Sequence, residues 1–356
     1  MTNFTLASEK LRSERRVWLV TGAAGFIGSH LIENLLALNQ TVIGLDNFST
    51  GYRKNIQLAE RAALKRSQEA SGTSHTGSLE VIEGDICDLQ TCCSACENVD
   101  YVLHQAALGS IPRSIEDPIT TNLSNVTGFL NMLTASKNAG VKRFVYAASS
   151  STYGDHSSLP KVEEQIGTPL SPYAVTKLVN ELYANVFGKV YKAETIGLRY
   201  FNVFGQRQDP SGAYAAVIPK WLNAMINNQP VFINGDGSTS RDFCFVDNAV
   251  QANILAATTK NKEAVNQIYN VAAGKRTSLT QLFAALQQQL CPHLPHVGDL
   301  QPQFRDFRSG DVLHSQADIS KAKRLLGYQP SHDFYGGISE LAPWFLENTG
   351  RENPTH

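Results

Sequence analysis

The chain has 356 residues, 42% hydrophobic and 18% charged, a balance that suits one large globular domain or two lobes. A formal net charge of −1 excludes the basic excess of a nucleic-acid binder and offers no acidic tail to a charged partner. No apolar run approaches the about 18 residues a membrane span requires, and Met1–Arg16 is polar with no apolar signal core, so the expectation is a cytoplasmic protein that engages no membrane.

Apolar runs predict strands over 17–21, 41–46, 79–83, 100–104, 142–148 and 194–200. Between them, amphipathic patterns predict helices over 26–38, 53–68, 88–97, 116–138 and 172–190, with a Ser/Gly/Thr-rich exposed loop over 67–78. Strict alternation of this kind predicts an α/β fold: a Rossmann-type doubly wound parallel sheet with helices on both faces. From Gly205 the pattern loses regularity, and a strand–helix pair over 242–258 looks able to rejoin the sheet. The expected division is a first domain at 16–204, with 241–274 returning to it. A smaller C-terminal α/β substrate lobe then comes from 205–240 and 275–350.

The first predicted strand ends in Thr21-Gly22-Ala23-Ala24-Gly25-Phe26-Ile27-Gly28 and feeds straight into a helix. Three glycines spaced by three suit a dinucleotide: Gly22 for a tight turn, Gly25 for close approach of backbone to pyrophosphate, Gly28 for packing of helix on strand. The open N–H groups of the helix start then face the phosphates. The second strand ends in Asp46, 18 residues after Gly28. A carboxylate there accepts hydrogen bonds from an adenosine ribose and repels a 2′-phosphate, which points to NAD rather than NADP. Asn47, Phe48, Ser49, Thr50 and Gly51 form a polar loop able to wrap the adenosine. Gly84-Asp85-Ile86 and His104-Gln105-Ala106-Ala107 fall at the ends of the next strands, where ligands of such sheets bind.

A second constellation carries chemistry. Ser149-Ser150-Ser151 follows the apolar run Phe144–Ala148, and Tyr173 and Lys177 follow on a helix, four residues apart and so on one face. An ammonium near a phenol favours the phenolate, the lysine can hold a nicotinamide ribose, and a serine hydroxyl can bridge the Tyr oxygen and a substrate hydroxyl. Ser149, Tyr173 and Lys177 together suit proton removal from an alcohol while NAD takes the hydride. Six cysteines include four between Cys87 and Cys96, with a C-x-x-C at Cys93–Cys96. No second C-x-x-C and no histidine at ligand spacing accompanies it, so the cysteines read as small packing residues and no metal is expected.

These pieces identify a resemblance. Thr21–Gly28, Leu45-Asp46-Asn47-Phe48, Gly84–Ile86, His104–Ala107, Ser149–Gly154, Ser171–Lys177, Leu198–Gly205 and Arg308–Asp311 together resemble the extended short-chain dehydrogenase/reductase family, and within it the nucleotide-sugar 4-epimerases. Gln105–Arg113 is similar to the subgroup acting on UDP-N-acetylglucosamine and UDP-N-acetylgalactosamine in bacterial surface-polysaccharide synthesis. The resemblance implies Ser149 as the catalytic serine, Tyr173 as base and Lys177 as its partner. It implies cofactor contacts from Asp85, Ile86, Gln105, Ala106, Ala107, Asn122, Tyr200 and Val203. Substrate contacts are implied for Ser110, Ser150, Asn202, Ala216, Val217 and the run Val231-Phe232-Ile233-Asn234. Arg241 and Arg308 match the family's diphosphate arginines, and Asp311 a ribose or uridine contact. The family usually forms homodimers, here through 116–138 and 172–190.

Two positions bear on substrate size. Ser315 stands where glucose-restricted relatives tend to carry a bulky Tyr, and Ala216 where several carry Asn, so both leave room for an acetamido group. Gly109 stands where some relatives place a Lys on the cofactor phosphates. Family dehydratases carry an Asp–Glu pair after the catalytic residue and decarboxylases a Glu, whereas this chain has Ser150-Ser151-Thr152 and no acid to protonate a leaving hydroxyl. A 4-epimerase of UDP-N-acetylglucosaminuronate keeps the same fold and reaction, with Arg113 or Arg207 facing the carboxylate. A non-catalytic NAD-binding regulator is disfavoured by the intact Tyr and Lys.

Overall fold

The computed structural model describes residues 2–72, 76–210, 215–307 and 312–348. Its centre is a seven-stranded parallel sheet. The strands are β1 (Val17–Thr21), β2 (Thr41–Asp46), β3 (Ser78–Glu83), β4 (Tyr101–His104), β5 (Arg143–Ser149), β6 (Thr195–Tyr200) and β7 (Gln267–Val271). They lie in the order β7-β6-β5-β4-β1-β2-β3. The order reverses between β1 and β4, and the crevice above that point is where such sheets bind ligands.

Three buried apolar clusters organise the rest. One packs Trp18, Val20, Ile196, Leu198 and Tyr269 of the sheet with Leu31 of the helix Phe26–Ala37, the helix Val246–Thr258 and residues 317–328. A second joins Phe204, Trp221, Leu222, Ile233, Phe245, Leu286 and Phe345, and a third, on the opposite face of the sheet, holds Leu19, Val102, Phe129, Phe144 and Tyr146 with Cys92 and Cys96. The chain therefore crosses repeatedly between the first two clusters: between Phe201 and Phe204, at Phe245–Ala249, between Ala272 and Leu282, and on either side of Ala317–Tyr328.

Several elements differ from expectation. Asn3–Ser13 is a helix, capped by Thr2, with Leu11 buried on the first cluster. The expected helix over 116–138 is segmented: Ile111–Glu116, then Pro118–Asn122, a π-helical stretch Leu123–Gly128, and Phe129–Asn138. Asp117 ends the first piece and caps the next, with Pro118 at the first helical turn, where its missing N–H costs nothing. The helix Arg53–Ser71 runs into the segment expected as loop. Of the strand–helix pair at 242–258, only the helix packs on the central sheet. Cys244–Phe245 pairs instead with Val203–Phe204, and the chain rejoins the central sheet at β7.

The helix that carries Tyr173 and Lys177, Pro172–Tyr191, starts at a Ser171 cap that accepts from Ala174 N–H at 3.2 Å. It is fixed to β6 by a buried ion pair in which Arg199 donates to both oxygens of Glu181 at 2.8 Å. Breaking such a buried pair by removing one partner costs about 3–5 kcal/mol. Cys92, Cys96 and Cys244 are buried, and burial pushes the first two thiols up to about 12 and about 11, whereas Cys87 is exposed.

Candidate functional site

A cavity of about 700 Å³ runs across the carboxyl ends of β1, β2, β4, β5 and β6. Its first end is built from the glycine turn. Gly22 has φ of +67°, and a Cβ on it would lie 2.8 Å from the Ala106 nitrogen. A Cβ on Gly28 would run into the Gly22 carbonyl. The helix Phe26–Ala37 begins at Gly25, which has no side chain to cap it, so the N–H groups of Phe26, Ile27 and Gly28 are left for a ligand's phosphates.

Asp46 completes this end. Its two oxygens accept from Ala24 N–H and Phe48 N–H, each at 2.8 Å. Burial raises its pKa, and those two hydrogen bonds oppose the rise. The carboxylate thus shapes the loop and lines the cavity at once, keeping lone pairs for a ribose. Asn47, Ser49, Thr50 and Gly51 line the same end, and Asn47 donates to Asp85 at 2.9 Å. Ile86 lies beside Asp85. The cradle of small residues, the open helix terminus and this carboxylate fit the adenosine and pyrophosphate of NAD.

The middle of the cavity holds the reactive groups. Ser149 ends β5 and caps the short turn Ser150–Tyr153, and its oxygen accepts from Ser151 N–H at 3.1 Å and Ser151 Oγ at 2.9 Å. Burial raises the pKa of the Tyr173 phenol, and a hydrogen bond with Ser149 opposes that. Lys177 is buried, donates to the Ala147 carbonyl at 2.9 Å, and is brought down to about 8 by burial. Its ammonium lies 5.9 Å from the centre of the Tyr173 ring. Burial, rather than the lysine, dominates the phenol in this state, contrary to the expectation that Lys177 sets its pKa.

Tyr200 closes one wall. Its hydroxyl donates to Gln105 at 3.1 Å and accepts from Asn253 at 2.7 Å, while Gln105 donates to Asn253 at 3.1 Å. Ala106 N–H donates to Thr21 Oγ1 at 3.2 Å, which fixes the Gln105-Ala106-Ala107 turn over β1. Val203, Asn202, Ser150, Arg241 and Ser315 line the far side. Arg241 Nη1 donates to the Leu313 carbonyl at 3.2 Å, and Ser315 N–H donates to the Ser240 carbonyl at 3.0 Å, so these two residues sit on one pair of docked segments.

Other sequence candidates stand elsewhere. Asn122 is exposed and does not line the cavity; the buried asparagine of that region is Asn125. Ser110 caps the helix Ile111–Glu116, accepting from Arg113 N–H at 3.2 Å, and is not in the lining. Ala216 is exposed, and neither it nor Val217 lines the cavity. In Val231-Phe232-Ile233-Asn234 the period of two along a strand turns Val231 and Ile233 into the second apolar cluster, so their side chains are core. Phe232 and Asn234 point the other way, Phe232 beneath the Arg305 guanidinium, and neither lines the cavity. Arg308 and Asp311 lie outside the described residues. Arg207 is buried on Glu33 at 2.6 Å and absent from the lining, as is Arg113, so neither stands ready for a sugar carboxylate.

Lining residues that sequence reasoning missed include Lys161, Leu170, Ser171, Ile111 and Ser124. Among the described lining residues the carboxylates are Asp46 and Asp85, both at the adenosine end, and the cations are Lys161, Lys177 and Arg241.

Comparison with known proteins agrees with this geometry. The sequence profile of the NAD dependent epimerase/dehydratase family matches residues 18–272. A putative UDP-glucose 4-epimerase of Methanocaldococcus jannaschii is 34% identical over 332 residues, covering 93% of this chain and 98% of that protein. The structure of a UDP-N-acetylglucosamine 4-epimerase from Methanobrevibacter ruminantium, in complex with UDP-N-acetylmuramic acid, superposes with a TM-score of 0.83. The two chains are 34% identical, with 94% of this chain and 99% of that one covered. A UDP-glucuronic acid 4-epimerase variant from Bacillus cereus, bound to NAD and a fluorinated UDP-glucuronic acid, superposes with a TM-score of 0.79 at 27% identity, covering 93% and 99%. With its glycine cradle, Asp46 and the Ser149–Tyr173–Lys177 constellation in one crevice, the chain belongs to the NAD dependent epimerase/dehydratase family, of the extended short-chain dehydrogenase/reductase type, and takes NAD as its cofactor.

Proposed function

We propose that the protein is a UDP-sugar 4-epimerase that interconverts UDP-N-acetylglucosamine and UDP-N-acetylgalactosamine for surface-polysaccharide synthesis in the cytoplasm. The observation that carries this reading is the single cavity that joins the NAD cradle to Ser149, Tyr173 and Lys177 and ends at Arg241 and the small Ser315. Arg241 offers a cation to the ligand's diphosphate, and Arg308 and Asp311 are proposed to complete that contact.

NAD, when bound, supplies the hydride acceptor and donor, and in its oxidised form a positive ring that favours the phenolate. Tyr173 removes the proton from the sugar 4-hydroxyl, and Ser149 holds that hydroxyl beside the phenol. The resulting 4-keto sugar turns about its diphosphate link and presents its other face, after which Tyr173 returns the proton and C4 is inverted. Lys177 keeps the phenol and the nicotinamide ribose in register.

Dehydration is disfavoured because no described carboxylate lines the cavity beside Ser149, so no acid stands ready to expel a hydroxyl. The acting unit is proposed to be a homodimer. Ile111, Ile115, Ile119 and Leu123 recur every fourth residue and are exposed, and so are Val175, Leu182, Val186 and Val190 on the Tyr–Lys helix.

The test incubates purified protein, without added NAD, with UDP-N-acetylglucosamine, UDP-glucose and UDP-N-acetylglucosaminuronate in parallel. The expected result is C4 inversion, fastest on the acetylated sugar, with no net NADH. Accumulation of a keto product or of stoichiometric NADH overturns it.

A further inference from the structure

Five cationic side chains are buried among the described residues: Arg143, Lys161, Lys177, Arg199 and Arg207. The three arginines each hold a glutamate: Arg143 with Glu194 at 2.7 Å, Arg199 with Glu181 at 2.8 Å, and Arg207 with Glu33 at 2.6 Å. The two lysines do not. Each donates to one backbone carbonyl, Lys177 to Ala147 and Lys161 to His156, and burial lowers the pKa of both. These two are also the lysines that line the cavity. A buried ammonium without a counter-charge is costly, and such a cost persists where a ligand relieves it. Lys177 has its task beside Tyr173; Lys161 has none in the reaction described.

The backbone of Lys161 locates it. Its N–H donates to the Gln316 carbonyl at 2.7 Å, and the Lys161 carbonyl accepts from Asp318 N–H at 2.9 Å, so it is bonded to the segment that begins with Ser315. His156, which it holds, follows Tyr153 and Gly154 of the turn that Ser149 caps. Lys161 thus joins the serine turn to the Ser315 segment, on the far side of the reactive groups from Asp46.

We infer that Lys161 is a specificity-determining residue whose ammonium binds a carbonyl or carboxylate oxygen carried by the sugar, an acceptor that a plain hexose lacks. The inference rests on the reading of this end of the cavity as the sugar site. The two sources of such an oxygen, an acetamido group and a sugar carboxylate, share this chemistry and are separated by experiment.

The measurement is kcat/KM of wild type, Lys161→Met and Lys161→Gln for UDP-N-acetylglucosamine, UDP-N-acetylglucosaminuronate and UDP-glucose, with melting temperature and bound NAD recorded for each. Lys161→Gln keeps a donor for the His156 carbonyl and removes the charge, so it covers the case in which the Met variant fails to fold. The expected result is a fall of about 10- to 100-fold in the ratio of one carbonyl-bearing sugar to UDP-glucose, the size of a lost charged hydrogen bond. Which of the two sugars falls names the source. If both ratios stay within threefold of wild type, or all three substrates fall together, the lysine serves the fold alone and the inference is overturned. Wild type that turns over none of the three sugars overturns the reading of the sugar site, and the inference with it.

Discussion

The Lys177 ammonium grips the Ala147 carbonyl at 2.9 Å, two residues before Ser149, so one side chain fixes the Tyr–Lys helix against the strand that delivers the catalytic serine. The same ammonium is brought down to about 8 by burial. It is charged below that pH and neutral above it, so kcat/KM is expected to decline as pH rises through about 8. His104, packed nearby and brought down to about 3, stays neutral throughout that range. In Lys177→Arg, whose guanidinium does not titrate there, the overall rate falls but the decline near pH 8 disappears. The same alkaline limb in the variant would assign it to another group.

Tyr173→Phe removes the proposed acid/base and leaves the ring. The expected loss in kcat is about 10²- to 10⁴-fold, the usual worth of a general acid–base group. Binding of UDP-sugar, followed by calorimetry, is expected to change little. Near-normal turnover would move the base elsewhere.

Ser315→Tyr places a ring in the cavity, beside the docked Ser240 and Ser315 segments. The ratio of kcat/KM for UDP-N-acetylglucosamine to that for UDP-glucose is expected to fall by at least about tenfold, the lower end of what even one methylene commands in a pocket. An unchanged ratio would show that Ser315 does not border the acetamido group.

Leu182→Glu combined with Val186→Glu puts two charges on the exposed apolar stripe of the Tyr–Lys helix. The wild-type chain is expected to sediment as a dimer and the double variant as a monomer, with its melting temperature lowered. A wild-type monomer would refute the proposed assembly.

The parts legible in the sequence are those where the backbone itself is constrained. Gly22 and Gly28 have no tolerance for a Cβ, so the cradle is written in residue type, and Asp46, Tyr173 and Lys177 lie at fixed distances along regular elements. The parts that were not legible depend on contacts distant in the chain. The stretch over 123–128 reads as ordinary helix, yet it is widened where Asn125 turns inward, its amide oxygen accepting from Leu108 N–H at 2.7 Å and its nitrogen donating to Thr176 at 3.1 Å. The helix Asn3–Ser13 buries only Ser8 and Leu11, too little for an apolar pattern to show. Lys161 sits in a loop without periodicity, and nothing local reveals that its charge is buried or unpaired. Val231 and Ile233 show the converse error: a motif places the strand correctly, but the pleat decides which of its side chains meet the cavity.

The many passages of the chain between its first and second apolar clusters bear on what moves during turnover. A pair of bodies joined by one linker can swing open about it, as hinged enzymes do. Here separate stretches near 204, 245, 272, 317 and 328 stitch the halves together, and the triangle of Gln105, Tyr200 and Asn253 knots the returning helix to the crevice floor. A scaffold sewn at so many points presents one fixed arrangement of donors to both stereochemical faces of the same carbon. For the proposed inversion, the rotational freedom then falls to the sugar about its diphosphate link rather than to a hinge between these clusters.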